Sequence, residues 1–412
     1  MSDQASAVDR AGLVTMLQQA SELEHALTCQ YLYAAFTLKA GGDPGLTPSQ
    51  TMLCGHWNQQ ITKIAAQEMY HLMLASNLLT AIGERPRLSR SNFPQPAQHF
   101  SEIPLPSMLA TFDAVTVHRF LCWEKPDVPG WWDQACLDCA AAVNERAGLP
   151  MLAAQDAPYS SIGQLYTEID DALKANPDWI DPANAAKQVT SALVPFHPPV
   201  APITTYADAH DHIEEIIREG EGTGDYDSQA HFAFFHQIYD ELGNGPSFEP
   251  SWPTVENPAY DPALATPGAT LITADDSRAA VALGGLFNDA YLLLLRTLDR
   301  LFQPDGDSDE QRQALANAAM AFMPLAIKAL GILLTRVPLG GAHAGRFAGP
   351  SFELPQPLPS VATPAELYED MEALTARARI LTVQLDVDGT DHVASHLETI
   401  LPLFAVPTEA VR

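Results

Sequence analysis

Residues 64–79 read IAAQEMYHLMLASNLL. The run is apolar enough for a buried helix, yet Glu68 and His71 fall inside its apolar stripe. That stripe is Trp57, Ile61, Ile64, Glu68, His71, Ala75, Leu78 and Ile82, stepping by three and four as one helix face does. Residues three apart on such a face lie side by side. A carboxylate buried there is costly unless it is hydrogen-bonded, paired or bound to a cation. Taken alone, the pair reads first as a core hydrogen bond, because motifs this short recur by chance.

A second acid changes the balance. The preceding helix, about Arg10 to Lys39, carries the stripe Leu13, Leu17, Ala20, Glu24, Leu27, Tyr31, Ala34 and Leu38. Two buried acids facing each other repel, and one is forced to keep its proton. A metal ion removes the conflict. Carboxylate-bridged dimetal bundles take one Glu from each of two helices and a Glu-x-x-His from each of two more. Glu24, Glu68 and His71 supply one half of that set. Oxygen-rich ligands with one imidazole per metal suit iron, with manganese as the second fit, over copper or zinc.

The other half is less regular. Glu168 flanks the stripe Ile162, Leu165, Ile169 and Leu173 and is the candidate acid of a third helix, although the position equally suits a solvated flank. Glu214, Ile217 and Glu221 share a face further on. Glu221 sits between two glycines that can turn the backbone and bring its carboxylate inward. His231 opens the apolar face of Phe234, Phe235, Ile238 and Leu242. No intact Glu-x-x-His occurs in this half.

The rest of the 412 residues is patterned as helix, with 47% apolar residues to fill a core. After a second helix over about Ser49 to Gly83 comes a Pro-rich crossover, Glu84 to Pro106, of the kind that joins the second and third helices of some bundles. Expected next are a short helix over Met108 to Trp123, an aromatic loop CWEKPDVPGWW, and helices in the 160–175, 206–222 and 229–242 stretches. Residues 246–275 read as a Pro-rich linker. Beyond it, Ser277 to Phe302 and Asp309 to Val337 form a hairpin, and Pro364 to Val383 a last helix before a plain tail. The division expected is a bundle over 1–245, the linker, and a helical part over 276–412 packed on the bundle.

A net charge of −29 excludes nucleic acid and anionic membrane surfaces as natural partners. The most apolar run, residues 314–337, contains Asn317, Pro324 and Lys328 and reads as a core helix rather than a membrane span. Five cysteines, an odd number, and an N-terminus without a basic-then-apolar pattern fit a reducing cytoplasm. Cys136 and Cys139 form a lone CxxC that reads as ordinary thiols rather than a zinc site.

Several pieces together resemble the ferritin-like domain of the iminophenyl-pyruvate dimer synthase type, known from bisindole pigment biosynthesis and from stand-alone relatives. They are ELEHALTCQYLYAAFTLK (22–39), IAAQEMYHLMLASNLLTAIGERPRLSRSNFP (64–94), FLCWEKP (120–126), SSIGQLY (160–166), REGEG (218–222) and AHFAFFHQI (230–238). GLFNDAYLLLL (285–295) and GPSFE (349–353) match more weakly. The resemblance implies an all-α, ferritin-like four-helix bundle with a long crossover, here elaborated by the C-terminal hairpin and Pro-rich wraps. By matching position it implies Glu24, Glu68, His71, Glu221 and His231 as metal ligands, with Glu168 as the added candidate. Glu24, Glu68, His71 and Glu221 are the candidate catalytic residues. Glu124 matches a family acid whose role the sequence does not give. Where the family often carries an acid in its third helix, this chain has Gln164.

The functional expectation is a cytoplasmic, non-haem oxidative enzyme holding two irons (Fe2+/Fe3+). It acts on a small, amino-acid-derived metabolite with O2 or peroxide in specialised metabolism, without nucleic acid or membrane, and the chain admits a homo-oligomer. The alternatives are an iron-handling ferroxidase or storage protein and an imine-coupling enzyme like the pigment relative. The crossover, the loop with Trp123, Trp131 and Trp132, and the C-terminal hairpin are expected to enclose an apolar pocket over Glu24, Glu68 and His71.

Overall fold

The computed structural model describes residues 8–96, 104–126, 132–149, 159, 161–220, 230–243 and 247–405. Its helices are α1 (Arg10–Thr37), α2 (Pro48–Ala81), α3 (Ala114–Trp123), α4 (Asp133–Ala147), α5 (Ile162–Ala175), α6 (Tyr206–Glu219) and α7 (His231–Leu242). The C-terminal part adds α8 (Ala274–Phe302), α9 (Asp309–Phe322), α10 (Lys328–Leu334), α11 (Pro364–Gln384) and α12 (Thr390–Phe404). Among the described residues the only strands are β1 (Pro258–Ala259) and β2 (Thr270–Leu271), a parallel pair two residues long.

Local signals set the two longest bundle helices. Asp9 caps α1 by accepting from the Gly12 N–H at 2.8 Å. Thr47 and Gln50 close a reciprocal cap on α2, with Pro48 in its first turn, where a missing N–H costs nothing. The helices lie antiparallel, with Asn58 of α2 donating to the Ala35 carbonyl of α1 at 2.6 Å.

The other two bundle positions are each built from two helices. Near the C-terminal half of α1, α3 and α7 pack together, with the Tyr31 ring 4.6 Å from Phe120 and 5.0 Å from Phe235. At the other end α5 and α6 pack together, and Tyr166 of α5 reaches α1. The third column of the bundle is therefore α3 then α5, interrupted by the excursion that carries α4. The fourth is α6 then α7. Both interruptions fall at mid-height, level with Glu24 and Glu68.

Several elements differ from the sequence expectation. Residues Met108 to Asp113 are not helical; Leu109 donates to the Asn257 side chain at 2.8 Å, and α3 begins only where the Asp113 carboxylate caps the Thr116 N–H. The tail after α11 is a further helix, α12, pinned by buried Val393, Leu397 and Ile400. Cys122 and Cys136 are not free thiols but a disulfide joining α3 to α4; Cys139 is free. The expectation of ordinary thiols thus holds for Cys139 and not for Cys136, which meets a residue 14 positions away.

The C-terminal helices share the core of the bundle. Gly331 of α10 lies against Phe36 of α1, where a Cβ would sit 2.4 Å from the ring, so only glycine permits this approach. Residues 247–257 run through the same interface, with Trp252 donating its N–H to the Thr37 carbonyl at 2.8 Å and Asn257 to the Leu109 carbonyl at 2.9 Å. By length and composition α8 and the α9–α10 run are long and apolar enough to cross a membrane, but 56% and 50% of those windows are buried inside the protein, as in core helices.

Candidate metal centre

Four carboxylates and two imidazoles converge where the third and fourth columns break. Glu24 comes from α1, Glu68 and His71 from α2, Glu124 from the C-cap of α3, Glu219 from the last turn of α6, and His231 from the first turn of α7. Glu24, Glu68, His71, Glu124 and His231 are each at most 2% exposed.

The donors form two triads, Glu24–Glu68–His71 and Glu68–Glu124–His231, each with its ligand atoms within 4.8 Å of one another. Glu68 belongs to both, its two oxygens facing opposite ways. Oε2 is 3.2 Å from His71 Nδ1, and Oε1 is 2.9 Å from His231 Nδ1. Glu24 Oε2 lies 3.7 Å from His71 Nδ1, Glu219 Oε2 3.2 Å from His71 Nε2, and Glu124 Oε2 3.4 Å from His231 Nδ1. The two imidazole centroids are 5.5 Å apart.

Two tyrosines support the acids from outside. Tyr166 donates to Glu24 Oε1 at 2.6 Å, and Tyr31 donates to Glu124 Oε1. Each hydroxyl fixes one carboxylate oxygen and leaves the other toward the centre. Burial, with acids close by, pushes both phenols well above their ordinary range, so they remain donors.

The electrostatics are those of a cation site holding protons instead. Burial and the neighbouring Glu68 push Glu24 up to about 7. Burial and Glu124 also push Glu68 up, but His231 and His71 outweigh them and leave it below its ordinary value. Burial works against charge on His71, yet Glu219, Glu24 and Glu68 hold it well above the normal imidazole range. His231 is raised to about 9 by Glu68 and Glu124 against the same burial. Glu219 falls below its ordinary value because His71, against burial, favours its charge.

The donor set fits two divalent cations. Neither ring nitrogen of His231 has a partner in hydrogen-bonding geometry, nor does Glu68 Oε1, which is unusual for polar atoms this deep. Two doubly charged ions would balance the four carboxylates with both imidazoles neutral. The free space beside Glu24, Glu68, His71 and Glu124 is about 10 Å³, enough for a water-sized species and no more.

Of the residues expected from sequence, Glu24, Glu68, His71 and His231 are brought together. Glu168 is not. It is half-buried and accepts from Gln164 one turn away at 3.0 Å, while its neighbour Tyr166 turns inward. The third-column acid is Glu124. Glu214 is exposed, and Glu221 lies outside the described residues. Glu219 takes the α6 position, one step along the stripe of buried His212, Ile213 and Ile216. Extending that stripe by three would have found it, just as Val117, Phe120 and Leu121 lead to Glu124. Trp131 also lies outside the described residues, and Trp132 packs against His118, Phe232, His236 and Tyr239.

On the side of Glu24, Glu68 and His71 the free space is the small cleft of about 10 Å³, walled by Ile162, Tyr166, Ile216 and Ile217 of α5 and α6 rather than by the expected crossover or C-terminal hairpin. A large apolar cavity lies on the opposite face of the α1–α2 pair, lined by His25, Cys29, Met69 and Met73 rather than by the acids.

Comparison with known proteins places these observations in a family. A family model described as Ferritin-like matches residues 17–240, more than half of the chain. The dichlorochromopyrrolate synthase of Lentzea aerocolonigenes is 26% identical over 381 residues, covering 84% of this chain and 36% of that protein. The 2-imino-3-(indol-3-yl)propanoate dimerase of Chromobacterium violaceum is 26% identical over 372 residues, covering 85% of this chain and 34% of that protein. The chain thus spans about a third of the length of these curated relatives. A ferritin-like protein from Caulobacter vibrioides superimposes with a TM-score of 0.46 at 20% identity, over 76% of this chain and 94% of that one.

Proposed function

The chain belongs to the Ferritin-like family, and from that premise we propose that it is a non-haem di-iron oxidative enzyme acting on a small amino-acid-derived metabolite with O2 or peroxide. The observation that carries this reading is the pair of buried triads sharing Glu68. Glu24, Glu68 and His71 would hold one ion, and Glu68, Glu124 and His231 the other, with Glu219 beside His71. Two irons bound there supply redox equivalents and Lewis acidity. Manganese suits the same donors.

The protein's own contribution is geometric and electrostatic. Tyr166 and Tyr31 orient Glu24 and Glu124, as partners behind metal ligands do. The surrounding apolar side chains keep bulk water away, which strengthens every charge interaction inside. His71 and His231 must give up their protons when metal binds, and Glu24 must give up its own.

The substrate class follows from the relatives. Both are named for building specialised metabolites, one of them from a 2-imino acid with an indole side chain. We extend this to an aromatic 2-imino acid or a close amino-acid derivative. Because the chain covers only a third of those proteins, coupling of two such molecules is the narrower alternative.

The test is to load the purified chain with iron and count the metal. Aromatic 2-imino acids, generated in situ, are then supplied with O2 or peroxide, and oxidant consumption and product mass are followed. Organic oxidation at about two irons per chain supports the enzyme. Hundreds of irons retained per assembly, with no organic product, support an iron store instead.

A further inference from the structure

Among the described residues, the cavity behind the α1–α2 pair takes no part in the candidate metal centre. It encloses about 470 Å³, within the range of small-molecule sites. Leu294, Leu298, Leu301, Met73, Met323 and Ile327 are among the residues that line it. Met320, 53% exposed, stands at its mouth. Its α9–α10 wall is the only described helix to contain a π-turn, Met323–Ile327, with Pro324 facing the space; such turns recur at functional sites.

A small polar group breaks this apolar lining. The Tyr291 hydroxyl bonds to His25 Nε2 and lies 3.2 Å from Cys29 Sγ, and all three residues line the cavity. Ser76 also lines it and is fully buried, and its hydroxyl has no hydrogen-bond partner. Behind Tyr291 sits Arg90, 0% exposed, its guanidinium 5.8 Å from the Tyr291 ring centre and 4.2 Å from that of Phe93. Arg90 donates to the carbonyls of Ser91 and Phe352, its Nε is unpartnered, and no carboxylate pairs with it among the described residues.

A guanidinium cannot shed its proton to escape burial. A buried cation without a counter-charge is unfavourable and is normally paired. The other fully buried arginine, Arg119, donates to the Met108 carbonyl, while the nearby Asp113 and Glu256 pair with Arg146; the difference lies in what each guanidinium has beside it. Arg90 has an apolar cavity with a hydroxyl, a thiol and an imidazole between.

We propose that this cavity binds an apolar monocarboxylate, with its carboxylate at Tyr291, His25 and Cys29 under the charge of Arg90 and its body along the leucine and methionine side chains. The site is separate from the metal centre. Residues 25, 29, 69 and 73 line it, whereas 24, 68 and 71 line the cleft of the candidate metal centre. A straight-chain fatty acid and an aryl-alkyl acid share this chemistry.

The test uses the full chain, metal-free and iron-loaded, titrated calorimetrically with decanoate and with 3-(indol-3-yl)propanoate. The matched alcohols, decanol and 3-(indol-3-yl)propan-1-ol, serve as uncharged controls. At least one acid should bind about tenfold or more tightly than its alcohol, a difference of about 1.4 kcal/mol. It should do so with or without iron, which separates failure here from failure of the metal reading. The acid that binds identifies the source. Ala319→Trp fills the cavity and should abolish binding. Arg90→Gln should erase the preference for acid over alcohol. Tyr291→Phe, which keeps the ring and the fold, should cut acid affinity at least threefold. Absence of binding by both acids, equal affinity for acid and alcohol, or unchanged binding in Ala319→Trp or Tyr291→Phe would overturn the proposal.

Discussion

The two halves of the metal centre are built differently. One half stands on α1 and α2, continuous helices of 28 and 34 residues. The other shares Glu68 and otherwise stands on two helix ends, the close of α3 with Glu124 and the start of α7 with His231. On the continuous side, ligand positions follow from the 3.6-residue repeat alone. On the interrupted side, each ligand is placed by where its helix stops and by what holds that end. The same chemistry can therefore be carried by rigid periodicity or by tethered ends, and the second way needs extra ties. The Cys122–Cys136 disulfide, two residues from Glu124, is one of them. The Tyr31–Glu124 hydrogen bond is another.

The largest expected effect is at the residue the halves share. Glu68→Ala should take metal content from about two ions per chain to well under one while leaving helicity intact. Glu24→Ala and Glu124→Ala should each leave about one ion. Glu168→Ala should leave both, and if it removes an ion while Glu124→Ala does not, the third-column assignment made here is wrong. Elemental analysis after iron reconstitution reads all four variants.

The next effect concerns the tie on the interrupted side. Cys136→Ala opens a link closed over 14 residues, worth about 3 kcal/mol by chain-entropy arguments. It should lower thermal stability and weaken the second ion more than the first. Equal loss of both ions on titration with a chelator would mean that the two halves are not held independently.

A pH series sharpens the comparison further. Glu24, raised to about 7, and His231, raised to about 9, both bind protons more tightly in the folded metal-free chain than in the unfolded one. Stability from such groups is complete below their unfolded values and is lost as pH rises through the folded ones. The metal-free protein should therefore lose melting temperature between pH 6 and 9. Metal competes for the same positions, so the increment in melting temperature given by iron should grow across that interval. Glu68 and Glu219 are shifted downward, so the stability they contribute is present above the ordinary carboxylate range and is lost only as pH falls below it. A metal-induced increment that shrinks with pH would contradict the proton-for-metal exchange.

The smallest effects are at the tyrosines. Tyr166→Phe and Tyr31→Phe remove one hydrogen bond each from Glu24 and Glu124. Each should lower metal affinity on the order of tenfold, the first at the continuous half and the second at the interrupted half. Chelator competition distinguishes the two.

Much of this was legible in the residues. A carboxylate and an imidazole in the leucine stripe of α2, with a matching acid in α1, already mark a place where protons or a cation must offset the charge, because low dielectric penalises unpaired charge wherever the backbone puts it. His231 was legible too, as the first member of an aromatic stripe. The all-helical class and the two-helix C-terminal addition follow from apolar periodicity. These properties are local: they depend on spacing along one helix, which the sequence states directly.

What the tertiary structure decided lies between helices. Glu124 and Glu219 sit at helix ends, one step beyond the last buried stripe residue, where nothing in the sequence says whether the helix still holds its turn; Glu168, on an intact turn, drew the third-helix assignment instead. Cys122 meets Cys136 because α4 folds back on α3, which no neighbouring residue signals. The cavity behind α1 and α2 exists because α8 and α9 stand off from those helices while α10 closes on α1 at Gly331, and Arg90 is brought beneath Tyr291 from 201 positions away. Burial on one face of a helix is written in its own residues, but the partner on that face is chosen by chain closure and packing across the whole core.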